Sequence, residues 1–215
     1  ETLLVPTSLL KDVVQEKDWD KQLLLLDIRE QEEREVGVID ASTTWMRLGD
    51  LMYGGYQSLP KDRDILVICW NSMRGEEVAR WLRERGLIRS FGILGGLQGV
   101  LAEGGHGWIP DGLPWKGKTE ASEIVEVFEQ GRTLTLAEAR SFHETGAVVM
   151  DVRPEERFAA GHVVGALSLP LERGSSEMVS SVISSLPRNK PIVIYSDEEI
   201  SDFYGKVLDL RLRRL

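Results

Sequence analysis

The chain has few of the residues that build covalent or metal-bound frameworks, with one cysteine and three histidines among 215 residues. A single cysteine excludes an internal disulfide framework and leaves one thiol available for chemistry. The cysteine and the histidines stand at no metal-ligand spacing, so we expect neither a zinc site nor another cofactor. No apolar run reaches the roughly 18 residues of a membrane span, so we expect no transmembrane helix.

Basic residues are outnumbered by acidic ones, 26 to 35, which gives a formal net charge of −9. Both halves of the chain are net negative, so we do not expect nucleic acid as a partner. Apolar residues make up 42% and charged residues 28%, as in ordinary globular proteins. We expect a soluble protein, and the sequence leaves open whether it is cytoplasmic or exported.

The chain repeats itself. The segment Leu23–Arg29 resembles Ala147–Arg153, and Gly37–Ser42 resembles Gly161–Ala166 at the same offset of 124 residues. Continuous apolar runs such as these are typical of strands buried in a parallel sheet. The sequence therefore predicts an α/β fold with two tandem copies of one domain, each a parallel β-sheet flanked by helices.

The boundaries follow from composition. Residues 1–108 form the first predicted domain, residues 109–132 a linker, and residues 133–215 the second domain. The stretch 104–118 is rich in Gly and Pro, as linkers are. The second copy has no equivalent of Phe91–Gly96 in the first, so it looks truncated.

The single cysteine directly follows a short apolar strand in the first copy. Ile65–Ile68 reads as a buried strand, and Glu76–Arg85 has apolar residues at helical spacing. Cys69 therefore opens a connection between the carboxyl end of a strand and the amino end of a helix. Backbone amides and the helix dipole there favour a thiolate and a bound anion. We predict that Cys69 is a nucleophile; the alternative is an inert cysteine buried at a strand end.

The residues after Cys69 are predicted to bind an anionic substrate. Arg74 would contact an oxyanion and lower the pKa of the thiol, and Gly75 would allow a tight entry into the helix. The alternative for Arg74 is a surface ion pair with Glu77. The predicted substrate-binding set is Trp70, Asn71, Ser72, Met73, Arg74 and Gly75.

The second copy has Ser196 where the first has Cys69. Four of the six residues after Ser196 are carboxylates, which would repel an anionic substrate. A serine also needs an adjacent base to become a nucleophile, and none is visible here. We therefore predict that the second copy is catalytically inactive.

An Asp-x-Arg motif ends a strand in both copies, whether or not the cysteine is present. We therefore predict that its residues are structural and fix the strand end through buried charge-assisted hydrogen bonds. The residues concerned are Asp27, Arg29, Asp151 and Arg153.

Taken together, these motifs resemble the rhodanese (sulfurtransferase) superfamily. The resemblance rests on the Asp-x-Arg motifs, on the Gly-His-x-x-Gly-Ala turn at Gly161–Ala166 and on the Cys-x-x-x-x-Arg loop that starts at Cys69. It covers about residues 7–108 and again about 134–215. The first copy departs from the pattern at the turn, where Val38 replaces the usual histidine.

The resemblance implies a sulfurtransferase. The Cys69 thiolate would take the outer sulfur of a small sulfur-containing anion, either thiosulfate or a persulfide, and pass it to a thiol or carrier-protein acceptor. One alternative is a phosphatase, whose comparable loops carry one more residue between Cys and Arg. The other alternative is a non-catalytic binding or sensor module, which the altered turn and Ser196 both favour.

Overall fold

The protein divides into two compact units, Glu1–Val125 and Glu126–Leu215, called the first and second domain below. The structure, a computed structural model, describes residues 3–39, 43–70, 72–97, 115–117, 133–197 and 199–215. Each domain contains a parallel sheet with helices connecting its strands, which confirms the predicted α/β fold. No helix in the described ranges is long and apolar enough to cross a membrane.

The first domain contains seven strands and four helices within the described residues. The strands are β1 (Leu4–Val5), β2 (Leu23–Asp27), β3 (Gly37–Ile39), β4 (Thr43–Trp45), β5 (Asp64–Ile68), β6 (Ser90–Ile93) and β7 (Trp115–Gly117). The helices are α1 (Thr7–Gln15), α2 (Gln31–Arg34), α3 (Leu48–Met52) and α4 (Ser72–Glu84), with 3₁₀ turns at Trp19–Lys21 and Gly55–Ser58.

Five strands form the main sheet of the first domain in the order β1-β6-β5-β2-β4. All neighbouring pairs are parallel, and Asp27 at the end of β2 lies opposite Ile68 at the end of β5. Because parallel strands end at the same edge of a sheet, Cys69 follows β5 beside the end of β2.

The inner strands β2 and β5 are apolar because both of their faces are covered, as is usual in parallel sheets. On one face, side chains of both strands pack into a single hydrophobic core with residues of α3 and α4. This core includes Leu24, Leu26, Ile65, Val67, Cys69, Leu48, Leu51, Val78 and Leu82. Since side chains alternate along a strand, Cys69 points to the same face as Ile65 and Val67.

A second, two-stranded sheet joins β3 to β7 in antiparallel pairing. Strand β7 belongs to the segment 109–132, for which the sequence predicts a linker. The rest of that segment lies outside the described residues.

The second domain has a smaller sheet. Its strands are β8 (Val148–Asp151), β9 (Leu167–Ser168) and β10 (Ile192–Tyr195), and its helices are α5 (Leu136–Glu144), α6 (Glu155–Ala160), α7 (Ser176–Ser185) and α8 (Glu199–Arg213). The order is β10-β8-β9, all parallel, and Asp151 lies opposite Tyr195. In the first domain Asp27 lies opposite Ile68 in the same way. Ser196, directly after β10, therefore occupies the position that Cys69 has directly after β5.

Candidate functional site

The connection after Cys69 is shorter than the sequence predicts. Helix α4 begins at Ser72, four residues before the predicted start at Glu76. Ser72, Met73, Arg74 and Gly75 therefore lie in the first turn of the helix, and Trp70 is half-buried beside it. Asn71 lies outside the described residues. The sequence does not predict a helix start at Ser72, because Gly75 would then lie inside the helix, where glycine is unfavourable unless packing compensates for it.

Two glycines allow helix α4 to approach the sheet at Cys69. A Cβ atom on Gly75 would stand 3.1 Å from the Cys69 Sγ, and one on Gly92 of β6 would stand 2.8 Å from the Gly75 carbonyl carbon. Real Cβ atoms rarely approach other atoms this closely. Glycine is therefore required at position 92 and strongly favoured at position 75. Sequence reasoning missed Gly92, although a glycine inside a strand often marks a close backbone approach.

Replacing Gly92 with alanine is expected to destabilise the first domain by about 1–3 kcal/mol, because the new methyl group overlaps the backbone of α4. Thermal denaturation would measure the change. The matched control is Gly205→Ala in α8, where the new Cβ would meet Ile194 Cγ2 at 3.6 Å, an ordinary contact. That control should be neutral or slightly stabilising, since alanine favours helix. An unchanged melting temperature for Gly92→Ala would contradict the close packing.

The Cys69 thiol is fully buried and is protonated at neutral pH. Burial raises the pKa of Cys69 from 9.0 to about 11. The positive charge of Arg74 and a hydrogen bond from the Gly75 amide lower the pKa, and Glu33 raises it. The sequence predicts the lowering by Arg74, and that effect is present. Burial in the hydrophobic core outweighs it, so the expected thiolate is not the resting form at neutral pH.

The guanidinium of Arg74 faces a buried carboxylate. Its Nη2 and Nη1 donate to Oε1 and Oε2 of Glu33 at 2.6 and 3.0 Å. Arg74 is 4% exposed and Glu33 is fully buried. Glu33 Oε2 also accepts the Glu30 amide at 2.8 Å, which closes a capping box at the start of α2. Arg74 is therefore held by a two-point ion pair in the first turn of α4.

Sequence reasoning missed Glu33 because the segment 30–35 is almost entirely charged and reads as a solvated surface. The signal that could have revealed it is the motif Glu30-x-x-Glu33, since a glutamate three residues after a helix cap often closes a capping box.

The Asp27–Arg29 pair joins the end of β2 to the segment that carries Glu33. Arg29 Nε and Nη2 bind the Asp27 carboxylate at 2.9 and 2.8 Å. The same guanidinium donates to the carbonyl oxygens of Glu33 and Gly37 at 3.2 and 3.0 Å. Both side chains are 1% exposed. These contacts support the structural role that the sequence predicts, because they fix the backbone around α2.

The second domain repeats this pair in a different setting. Arg153 binds Asp151 at 2.9 and 2.8 Å and donates to the Gly161 carbonyl at 2.7 Å. Tyr195 donates its hydroxyl to Asp151, and Asp197 accepts from Arg153. Burial raises the pKa of Asp151, but the hydrogen bonds from Arg153 and Tyr195 outweigh that effect and lower it.

Within the described ranges, no three or more His, Cys, Asp and Glu side chains are grouped so that they could hold a metal ion.

Comparison with known proteins identifies relatives of this chain. The putative sulfurtransferase YtwF of Bacillus subtilis strain 168 is 31% identical over 93 residues, covering 43% of this chain and 84% of that protein. A rhodanese-related protein of Thermoplasma volcanium is 25% identical with a TM-score of 0.41, covering 47% of this chain and 92% of that one. SseA of Escherichia coli, a 3-mercaptopyruvate sulfotransferase, is 16% identical with a TM-score of 0.41, covering 99% and 95%.

A family model also matches the chain twice. The model describes the rhodanese-like domain, and it matches residues 9–103 and again residues 135–209. These ranges fall one in each domain of the structure. The resemblance seen in the sequence motifs is thus confirmed, and the chain belongs to the rhodanese-like domain family.

Proposed function

We propose that the protein is a sulfurtransferase that carries a sulfur atom as a persulfide on Cys69. The observation that carries this proposal is the position of the thiol at the carboxyl end of β5 and the start of α4, where the Gly75 amide donates to its sulfur. An inert core cysteine does not require that arrangement. A persulfide anion does, because an amide and the positive end of a helix stabilise a negative sulfur.

The transfer takes place in two displacements. The Cys69 thiolate attacks the outer sulfur of thiosulfate, the S–S bond of the donor breaks, and sulfite leaves with the electron pair. With an alkyl persulfide the leaving group is the alkyl thiolate. A thiol, a carrier protein or cyanide then attacks the outer sulfur of the Cys69 persulfide and regenerates the thiolate. The donor would contact the residues predicted from sequence, which are Trp70, Asn71, Ser72, Met73, Arg74 and Gly75.

The second domain does not carry sulfur in this proposal. Ser196 occupies the position of Cys69, because the strand registers of the two domains match, and its hydroxyl cannot form a persulfide. Four of the six residues after Ser196 are carboxylates, and together they would repel an anionic donor.

The test is the mass of the protein after incubation with thiosulfate or with an alkyl hydropersulfide. We expect one added sulfur, about 32 Da, on the peptide that contains Cys69, removable by cyanide or by a reductant. Ser196→Ala is the matched control and should give the same adduct and the same rate. Absence of the adduct with both donors would overturn the proposal.

One observation favours a second function, a non-catalytic binding module. Cys69 is fully buried and belongs to the hydrophobic core of the first domain. If the thiol is only a core residue, neither donor should modify it, and Cys69→Ala should lower stability as other core truncations do but leave partner binding unchanged. The same mass measurement therefore distinguishes the two functions.

A further inference from the structure

The ion pair between Glu33 and Arg74 lies at the start of the helix that contacts the Cys69 thiol. Arg74 directly precedes Gly75, whose amide donates to the Cys69 sulfur. The carboxylate of Glu33 occupies both terminal nitrogens of Arg74 at 2.6 and 3.0 Å. The two side chains together carry no net charge. The charge of Arg74 lowers the pKa of the Cys69 thiol, and the charge of Glu33 raises it.

A comparison of the two domains shows that this pair accompanies the cysteine. The Asp27–Arg29 pair recurs as Asp151–Arg153, so it belongs to the shared fold. At the offset that relates these motifs, Glu33 is replaced by an arginine, Arg157. At the offset that relates Cys69 to Ser196, Arg74 is replaced by a serine, Ser201. Both partners of the pair are thus changed in the domain that has no cysteine.

The second domain forms its parallel sheet with other residues at these two positions. In the second domain the arginine at the position of Glu33, Arg157, instead lies 3.9 Å from the Asp197 carboxylate, and that sheet forms with the same strand register. A buried ion pair that stands beside the thiol and is replaced in the domain without a cysteine points to a role in the chemistry of the thiol.

Charge determines what that role is. Thiosulfate carries two negative charges and must approach a cysteine that becomes negative itself, so its reaction requires a positive charge that is not neutralised. An ionised alkyl persulfide carries only one negative charge, so its reaction depends less on such a positive charge. Since the Glu33 carboxylate offsets part of the charge of Arg74 at the thiol, the site is suited to the donor with the smaller charge.

We propose that Glu33 determines the donor preference of the Cys69 site, by neutralising Arg74 and so favouring singly charged alkyl persulfides over thiosulfate. This inference rests on the proposed function. Glu33 is a positioning residue here, because it acts through Arg74 and does not itself touch the donor.

The reaction with the favoured donor is balanced without another reactant. The Cys69 thiolate forms a bond to the outer sulfur of the alkyl persulfide anion while the S–S bond of the donor breaks. The products are the Cys69 persulfide anion and an alkyl thiolate, so two negative charges are present before and after. The sulfane sulfur moves between two thiols, and no oxidant or reductant is consumed.

The test is the ratio of kcat/KM for thiosulfate to kcat/KM for an alkyl hydropersulfide, with cyanide as acceptor. In Glu33→Gln the charge of Arg74 is no longer cancelled, and we expect the ratio to rise by at least about tenfold, as an opposite charge at this range shifts a charged equilibrium by 1–3 powers of ten. The pH profile of Cys69 alkylation should move to lower pH in the same variant.

Asp151→Asn is the matched control. Asp151 is also a fully buried carboxylate that binds an arginine, Arg153, at 2.9 and 2.8 Å. It lies in the second domain, which has no cysteine. Weakening that pair should therefore change stability but leave the donor ratio and the alkylation profile unchanged, which separates a role in selectivity from a general effect of a broken ion pair.

Two further variants cover the case in which Glu33→Gln does not fold. Glu33→Asp keeps the carboxylate but withdraws it by one methylene group, so the ratio should shift in the same direction by a smaller factor. The double variant Glu33→Gln/Arg74→Gln removes both charges, as replacement of a buried pair by neutral groups is often tolerated. It should keep the preference for the persulfide.

The outcomes separate this inference from the proposed function. An unchanged donor ratio in folded Glu33→Gln or Glu33→Asp, or a wild-type protein that prefers thiosulfate, would overturn the role of Glu33 and leave sulfur transfer intact. Failure of both donors to modify Cys69 would instead overturn the function itself.

Discussion

Replacing Arg29 with alanine is expected to destabilise the first domain by about 3–5 kcal/mol, the usual effect of leaving one member of a buried ion pair without its partner. Asp27 is 1% exposed and would lose both contacts to the Arg29 guanidinium, keeping the backbone amide of residue 29 at 3.1 Å and Arg34 Nε at 3.2 Å. The carbonyl oxygens of Glu33 and Gly37 would also lose their donor.

Hydrogen exchange at the amides of β2 reports this change for the first domain alone, because Leu25 and Leu26 lie between β4 and β5 in its sheet. The matched control is Arg89→Ala. Arg89 makes a pair of similar length with Asp64, 2.7 Å, but both side chains are about half-exposed. Exchange should be unchanged in the control and much faster in Arg29→Ala. Equal exchange rates in the two variants would show that the Asp27–Arg29 pair does not hold the strand end.

The reactivity of Cys69 is expected to rise about tenfold for each pH unit from pH 7 to pH 10 and to level off only near pH 11. The thiolate is the reactive form, and burial raises the pKa of Cys69 to about 11. The rate of alkylation by iodoacetamide at the Cys69 peptide measures this profile. A plateau at or below pH 8 would contradict the buried, neutral thiol and would indicate a thiolate stabilised by Arg74, as the sequence predicts.

The same shift in pKa couples pH to stability. The thiol binds its proton more tightly in the folded chain than in the unfolded one, where the pKa of Cys69 is 9.0. This contribution to stability is therefore complete below pH 9 and is lost as the pH rises towards 11. Cys69→Ser, which removes the thiol, should abolish that part of the alkaline loss. A serine variant with the same alkaline loss would show that other groups cause it.

Much of the fold could be predicted from sequence because the fold depends on repeated local patterns. The apolar runs of β2 and β8 each end in Asp-x-Arg, and both domains place that motif at the end of an inner strand. The position of Cys69 also follows from a strand pattern and a helix pattern on either side of it. Patterns of this kind are local in sequence, so a single chain shows them.

The details of the site could not be predicted in this way, because they depend on contacts between distant parts of the chain. Glu33 and Arg74 are 41 residues apart and meet only when α2 and α4 have packed against the sheet. The need for glycine at Gly92 appears only when Gly75 lies against it. The pKa of Cys69 is raised because the hydrophobic core buries the thiol. The sequence shows only a helix start and one arginine after Cys69, and both of these predict a lowered pKa.

The central claim is that Cys69 carries sulfur from a donor to an acceptor, and a pulse-chase experiment tests it most directly. The 215-residue chain is loaded with an alkyl hydropersulfide labelled at the outer sulfur, freed of excess donor, and treated with cyanide. We predict that one labelled sulfur per chain leaves the Cys69 peptide and appears as thiocyanate, and that Cys69→Ser neither acquires nor releases label. Label that stays on the protein, or equal thiocyanate from Cys69→Ser, would contradict the claim.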